Sequence, residues 1–107
     1  MWLFFSDGFL SIVAHRDKPE HLLVRSRNME HLEDLFPDSK RFSLKYSDYP
    51  HRAIISRKEV AKMLSNYVMS MNYDNFKNSI PNNEFRDTCN IIWSVMYQYG
   101  VNYRRTI

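Results

Sequence analysis

Nucleophilic catalysis needs a cysteine or serine beside a base that a third group holds in place. This chain offers one cysteine, Cys89, and four histidines, His15, His21, His31 and His51. Cys89 falls on the apolar stripe of a helical segment, where a thiol packs as a small hydrophobe. His15 and His21 flank one charged loop and would need a third ligand, such as Asp17 or Glu20, to hold a metal ion. No HxH or HExxH spacing supports such a site, and solvated loop histidines are the expectation. Gly8 and Gly100, the two glycines, cannot build a phosphate-cradling loop. The paired acids Glu33 and Asp34 belong to a short helix, where a solvated face is expected rather than acid–base work. No catalytic residue, metal ligand or cofactor is assigned, and the expectation is a protein that is not an enzyme.

The basic residues say more. Between Lys40 and Lys62 stand Lys40, Arg41, Lys45, Arg52, Arg57, Lys58 and Lys62, opposed only by Asp48 and Glu59. Arg25 and Arg27 add charge at a strand end. If Arg25, Arg27, Arg41 and Lys45 share an exposed sheet face, a basic platform results, and Tyr46, Tyr49 or His51 nearby could stack on bases. Glu30, Glu33, Asp34 and Asp38 make the preceding segment acidic, so two complementary surfaces that pair or solvate would account for the same pattern. Two aromatic groups bear on recognition as well. Trp2, Phe4 and Phe5 open the chain in what reads as an edge strand, which invites pairing with another chain unless the rings enter the core. Tyr73 and Phe76 sit among polar residues and either form a recognition surface or plug a gap between helices. The candidate binding residues are therefore Arg25, Arg27, Arg41, Lys45, Tyr49, Arg52, Tyr73 and Phe76.

Positioning these residues takes a fold. The 107 residues (13.0 kDa) suit one domain over 1–107, and 44% hydrophobic with 15% aromatic content excludes a disordered chain. A single cysteine excludes an internal disulfide framework. The opening MWLFFSDGFLSIVAH lacks a basic leader and is broken by Asp7-Gly8, so it is read as structure, not as a signal peptide, and a cytoplasmic protein is expected. Trp2–Phe5 and Phe9–His15 read as a hairpin about Ser6-Asp7-Gly8. Leu22–Arg27 reads as a third strand, and Asn28 caps a helix over 29–36. Lys40–Tyr46 alternates as a half-exposed strand, and His51–Ile55 follows as a fifth. Ser56-Arg57-Lys58-Glu59 forms a capping box for a helix with an apolar stripe at Val60, Met63, Leu64, Tyr67, Val68 and Met71. One helical turn is expected near 72–77. A last helix over 84–99, capped by Gly100, carries Phe85, Cys89, Ile92, Trp93, Met96 and Tyr99, widened by Ile91 and Val95, and should be buried on more than one side. The tail from Val101 to Ile107 is read as loose. The order β-β-β-α-β-β-α-α predicts an α+β two-layer sandwich: a mostly antiparallel five-stranded sheet with helices on one face. A ferredoxin-like arrangement with an extra hairpin is one version of it.

Met1-Trp2-Leu3-Phe4, Gly8-Phe9, Ser11-Ile12-Val13, Arg16-Asp17 and Leu22-Leu23-Val24-Arg25-Ser26-Arg27 resemble segments of a family of small bacterial and bacteriophage proteins. Asp48-Tyr49-Pro50-His51-Arg52 and Tyr73-Asp74-Asn75-Phe76-Lys77 extend the resemblance over most of the first eighty residues. It implies a prokaryotic or phage setting and brings no activity, cofactor or site with it. The function expected is a non-enzymatic interaction protein of phage or mobile-element type. It would act as an inhibitor that occupies a surface on a host macromolecular complex, such as a defence or regulatory complex. Direct nucleic-acid binding through a basic sheet face is the alternative, a homodimer stays open, and no membrane partner is expected.

Overall fold

The computed structural model describes residues 1–105, so the end of the expected tail, residues 106 and 107, lies outside the described residues. The chain separates into two compact units, Met1–Asn72 and a second from Tyr73 onward. The first holds strands β1 (Trp2–Phe5), β2 (Gly8–Ala14), β3 (His21–Ser26), β4 (Arg41–Ser43) and β5 (His51–Ser56), with helices α1 (Met29–Leu35) and α2 (Arg57–Met69). The second holds α3 (Phe76–Ser79) and α4 (Asn83–Arg105).

The five strands form one sheet in the order β1-β2-β3-β5-β4, every neighbouring pair antiparallel. This is the α+β architecture expected from the element order. The sheet extends a three-stranded meander by a hairpin whose second strand returns to β3, and this order replaces the ferredoxin-like version. Side chains alternate between the two faces of a strand, and the register assigns them. Leu10, Ile12, Val24, Ala53 and Ile55 point to one face and are buried there with Leu32, Leu35 and Phe36 from the α1 segment and Val60 from α2. Both helices of this unit thus cover one side of the sheet.

Local chemistry sets the joints. Ser6 and Asp7 form the two-residue turn of the first hairpin, and Gly8 follows at φ +156°. The imidazole of His31 packs against Gly8, and its Nδ1 accepts the Phe9 N–H at 3.1 Å. Asn28 caps α1 through its side-chain oxygen, which accepts the Glu30 N–H, and Glu30 places negative charge at the positive end of the helix. Ser56 caps α2 by accepting the Glu59 N–H at 3.2 Å. The reciprocal half of the expected capping box is not made. The Glu59 side chain instead lines a cleft of about 490 Å³ beside Asp34, Asp38, Lys62 and Tyr67.

Four expected features differ. β4 ends at Ser43: Leu44 N–H still donates to Pro50 O in register, but Pro50 has no N–H to return a bond, and the chain turns there through Ser47 N–H to Leu44 O. Val68 and Met71 leave the α2 stripe and are exposed, whereas Val60, Met63, Leu64 and Tyr67 remain in it. α4 runs through Gly100 to Arg105, so Gly100 is a helix-interior residue and not a cap. Of the apolar residues along α4, Cys89 is buried, while Ile91, Trp93, Val95, Met96 and Tyr99 are exposed; the expectation of burial on more than one side fails. Periodicity reports which residues could share a face but carries no information on whether a neighbour covers it.

Candidate functional site

The sheet face opposite α1 and α2 holds the most distinctive constellation of the first unit. Consecutive Cα partners join Trp2 to Ser11, Ser11 to Arg25, Arg25 to Arg52 and Arg52 to Phe42. One cross-strand row therefore spans all five strands, with an aromatic residue at each edge and two arginines at the centre. Directly opposed residues lie close enough for their side chains to interact. Trp2 is 69% exposed and Phe42 40% exposed, whereas Ser11 is buried. The next row holds Val13, Leu23 and Ile54, an apolar band beside the arginines.

The arginines are held by neutral groups. Arg25 Nη2 donates to Ser11 Oγ at 2.8 Å. Arg52 donates from Nε to Tyr49 O at 3.0 Å and from Nη2 to Ser47 Oγ at 2.6 Å. Arg27, just past the end of β3, donates to Asp48 O at 3.2 Å. The guanidinium carbons of Arg25 and Arg27 lie 4.6 and 4.3 Å from the centre of the Tyr49 ring, which is itself buried. Cation–π attraction of this kind contributes about 0.5–1 kcal/mol at exposed sites. Among the described residues every partner of these three guanidinium groups is a hydroxyl, a carbonyl or a ring, and none is a carboxylate. Arg25 Nε–H is buried without an acceptor, a local cost accepted where the guanidinium is held against the ring.

Aromatic contacts continue the surface toward β1. Phe9 stacks on Phe4 at 4.6 Å, meets Trp2 edge-on at 6.0 Å and approaches Tyr49 at 6.5 Å. The result is an unbroken chain of rings from the exposed Trp2 to the two guanidinium groups on Tyr49.

Arg25, Arg27, Tyr49 and Arg52, four of the expected residues, are thus brought together. Arg41 and Lys45 are not. Arg41 pairs with Ala53 and so points to the helix-covered side, where Nη1 donates to Phe36 O and Pro37 O and closes the end of the α1 segment. Lys45 lies in the turn after β4, with Nζ 5.6 Å from the ring centre of Tyr46. The expected platform of Arg25, Arg27, Arg41 and Lys45 is corrected to one of Arg25, Arg27 and Arg52. Tyr73 and Phe76 belong to the second unit, where their half-buried rings lie 6.1 Å apart. In that unit Lys77 Nζ also sits 4.2 Å above the Trp93 ring. Ser11, Phe42 and Phe9 belong to the sheet-face surface but are invisible to composition, because only strand register aligns them.

The reactive side chains stay apart. His15 Nδ1 accepts the N–H groups of Asp17 and Lys18 and shapes its own loop. Burial raises the pKa of the Cys89 thiol, which disfavours the thiolate. Among the described residues no three His, Cys, Asp or Glu side chains are grouped to hold a metal ion, and no helix is long and apolar enough to cross a membrane. No protein-family model, curated protein or solved structure matches the chain.

Proposed function

We propose that this is a non-enzymatic binding protein that acts by covering a surface of another protein, with the open sheet face as its contact surface. The row Trp2–Ser11–Arg25–Arg52–Phe42 carries the reading. Aromatic residues and arginine are the side chains that dominate binding energy in protein interfaces. Here they are set on paired strands and anchored by hydrogen bonds, so little ordering entropy is lost on contact. Arg25, Arg27 and Arg52, held by neutral groups beside Val13, Leu23 and Ile54, suit a partner whose apolar patch is rimmed by Asp or Glu. An inhibitor of phage or mobile-element type acting on a host complex is the biological form this reading takes. It draws only on the resemblance of the segments within the first eighty residues.

Nucleic-acid binding is the less favoured reading. Tyr49, the ring best placed to stack on a base, is buried and already faces two guanidinium groups, and Arg41 and Lys45 are directed elsewhere.

Affinity capture from a bacterial lysate, with the tagged chain and a Trp2→Ala, Arg27→Glu variant of unchanged circular dichroism, tests the proposal. A protein captured by the former and lost with the latter is expected. Identical captures by both, or a nuclease-sensitive capture whose affinity falls steeply with salt, would overturn it.

A further inference from the structure

Met1 and Ile12 exchange both backbone hydrogen bonds, Met1 N to Ile12 O and Ile12 N to Met1 O, each at 2.8 Å. In an antiparallel ladder such pairs alternate with pairs that exchange none. Gly8, Leu10 and Ile12 therefore turn their N–H groups toward β1, whereas Phe9, Ser11 and Val13 turn theirs toward β3. His15, next in the second row, donates to His21 O at 3.3 Å. At the other end of that row the register sets Phe9 opposite Arg27, one residue beyond the end of β3 at Ser26. There His31 of α1 stands in for the strand: its Nδ1 accepts the Phe9 N–H at 3.1 Å, with the imidazole packed against Gly8. Only an unprotonated ring nitrogen accepts. An imidazolium would set N–H against N–H across the same gap. The bond also lies directly behind the ring contacts of the open face. The Phe9 side chain stacks on Phe4, meets Trp2 edge-on and approaches Tyr49, over which Arg25 and Arg27 are held.

We propose that His31 is a proton-sensitive latch: its neutral ring fixes the Gly8–Phe9 end of the first hairpin to α1, and its protonation releases Phe9 and the rings that Phe9 holds together. The consequence for binding rests on the sheet face being the contact surface, as proposed above: affinity for the partner then falls in acid. The charges around His31 set the working range. Glu30 and Asp34, on its own helix, favour the imidazolium. Asp7 stands in the turn before Gly8, and β2 carries no ionisable side chain. On the strands beneath α1, His21, Arg25 and Arg52 belong to the opposite face, and His51, on the same side as Ala53, lies 3.3 Å from Ser43 Oγ. From α2, Glu59 and Lys62 line the cleft that Asp34 also borders. Burial disfavours the imidazolium and outweighs the two carboxylates of α1. The latch is therefore shut above pH 6.5, the ordinary histidine value, and opens as pH falls through a lower one.

Nuclear magnetic resonance on the full-length chain, titrated from pH 7.5 to pH 5, reads the latch directly. The His31 ring should titrate below pH 6.5. With the same midpoint, the Phe9 amide should lose at least about tenfold of its protection against hydrogen exchange, as for one lost hydrogen bond, and the Trp2 indole resonance should move. Val24, in the middle of the sheet, should keep its protection, because the release is local. In His31→Asn, whose side-chain oxygen accepts without titrating, neither Phe9 nor Trp2 should respond. A Phe9 amide that stays protected beside a charged His31 overturns the latch. So do a Trp2 resonance that ignores the titration, an unchanged response in His31→Asn, or protection lost at Val24 together with Phe9. No partner enters these measurements, so the latch can fail while the contact surface stands, and a failed capture leaves the latch intact. A captured partner should bind His31→Asn more tightly than the unaltered chain at pH 5, and equal affinities would overturn the link between latch and surface.

Discussion

A Cβ atom built on Gly8 would lie 2.3 Å from Cγ of His31, closer than any real Cβ approaches another heavy atom. Strand β2 can therefore begin where it does only if its first residue has no side chain, because the imidazole of α1 occupies that space. Gly8→Ala combines this overlap with an unfavourable φ and should cost about 2–4 kcal/mol, measured by urea denaturation. A loss below about 1 kcal/mol would show that His31 swings away freely.

His31 also makes stability depend on pH. Burial lowers its pKa below the ordinary histidine value of about 6.5, with Asp34 and Glu30 partly opposing. The Nδ1 that accepts the Phe9 N–H must be unprotonated to do so. A depressed folded-state pKa contributes stability that is complete above pH 6.5 and is lost as pH falls through the folded value. The melting temperature should decline between pH 7.5 and pH 5. His31→Asn should flatten that decline, and an unchanged slope in the variant would assign it to other groups.

The start of α2 separates two contributions that a capping box normally combines. Ser56→Ala removes the acceptor of the Glu59 N–H and should cost about 1 kcal/mol. Glu59→Gln removes only a charge near the helix terminus and should cost a few tenths, about 0.3–0.5 kcal/mol. Equal losses in thermal denaturation would mean that the carboxylate reaches back in solution.

Gly100 lies inside α4, and a Cβ there would meet nothing within 4 Å. Gly100→Ala should raise stability or helix content by the difference in helix propensity, about 0.5–1 kcal/mol. Lower helicity by circular dichroism would restore Gly100 to the role of a helix terminator.

Much of this architecture is legible in the amino-acid order. Asn28, Ser56 and Gly8 act locally, so their roles at a cap, a cap and a turn follow from residue type, and alternation within β2 separates Leu10 and Ile12 from Phe9 and Val13. What stays hidden depends on partners distant in the chain. Arg41 and Arg25 look equivalent, yet a difference of one position against Ala53 sends Arg41 under the helices. Lys45 continues an alternating pattern, but the turn closed by Ser47 N–H on Leu44 O takes it out of the strand. Met96 and Tyr99 have the spacing of a covered stripe and are exposed. The proposed contact surface is thus half visible in the sequence: its arginines by charge, but not the alignment with Trp2, Ser11 and Phe42 that makes them one feature.

That alignment makes the protein unequally tolerant of insertions and deletions. Removing one residue from the middle of β3 would invert the parity of everything beyond it, sending Arg25 toward the interior and Val24 into water. An insertion in the charged segment between Ala14 and His21 would lengthen a connection and leave the pattern untouched. Length variation among any variants of this molecule should therefore collect between the second and third strands, and hardly ever inside them.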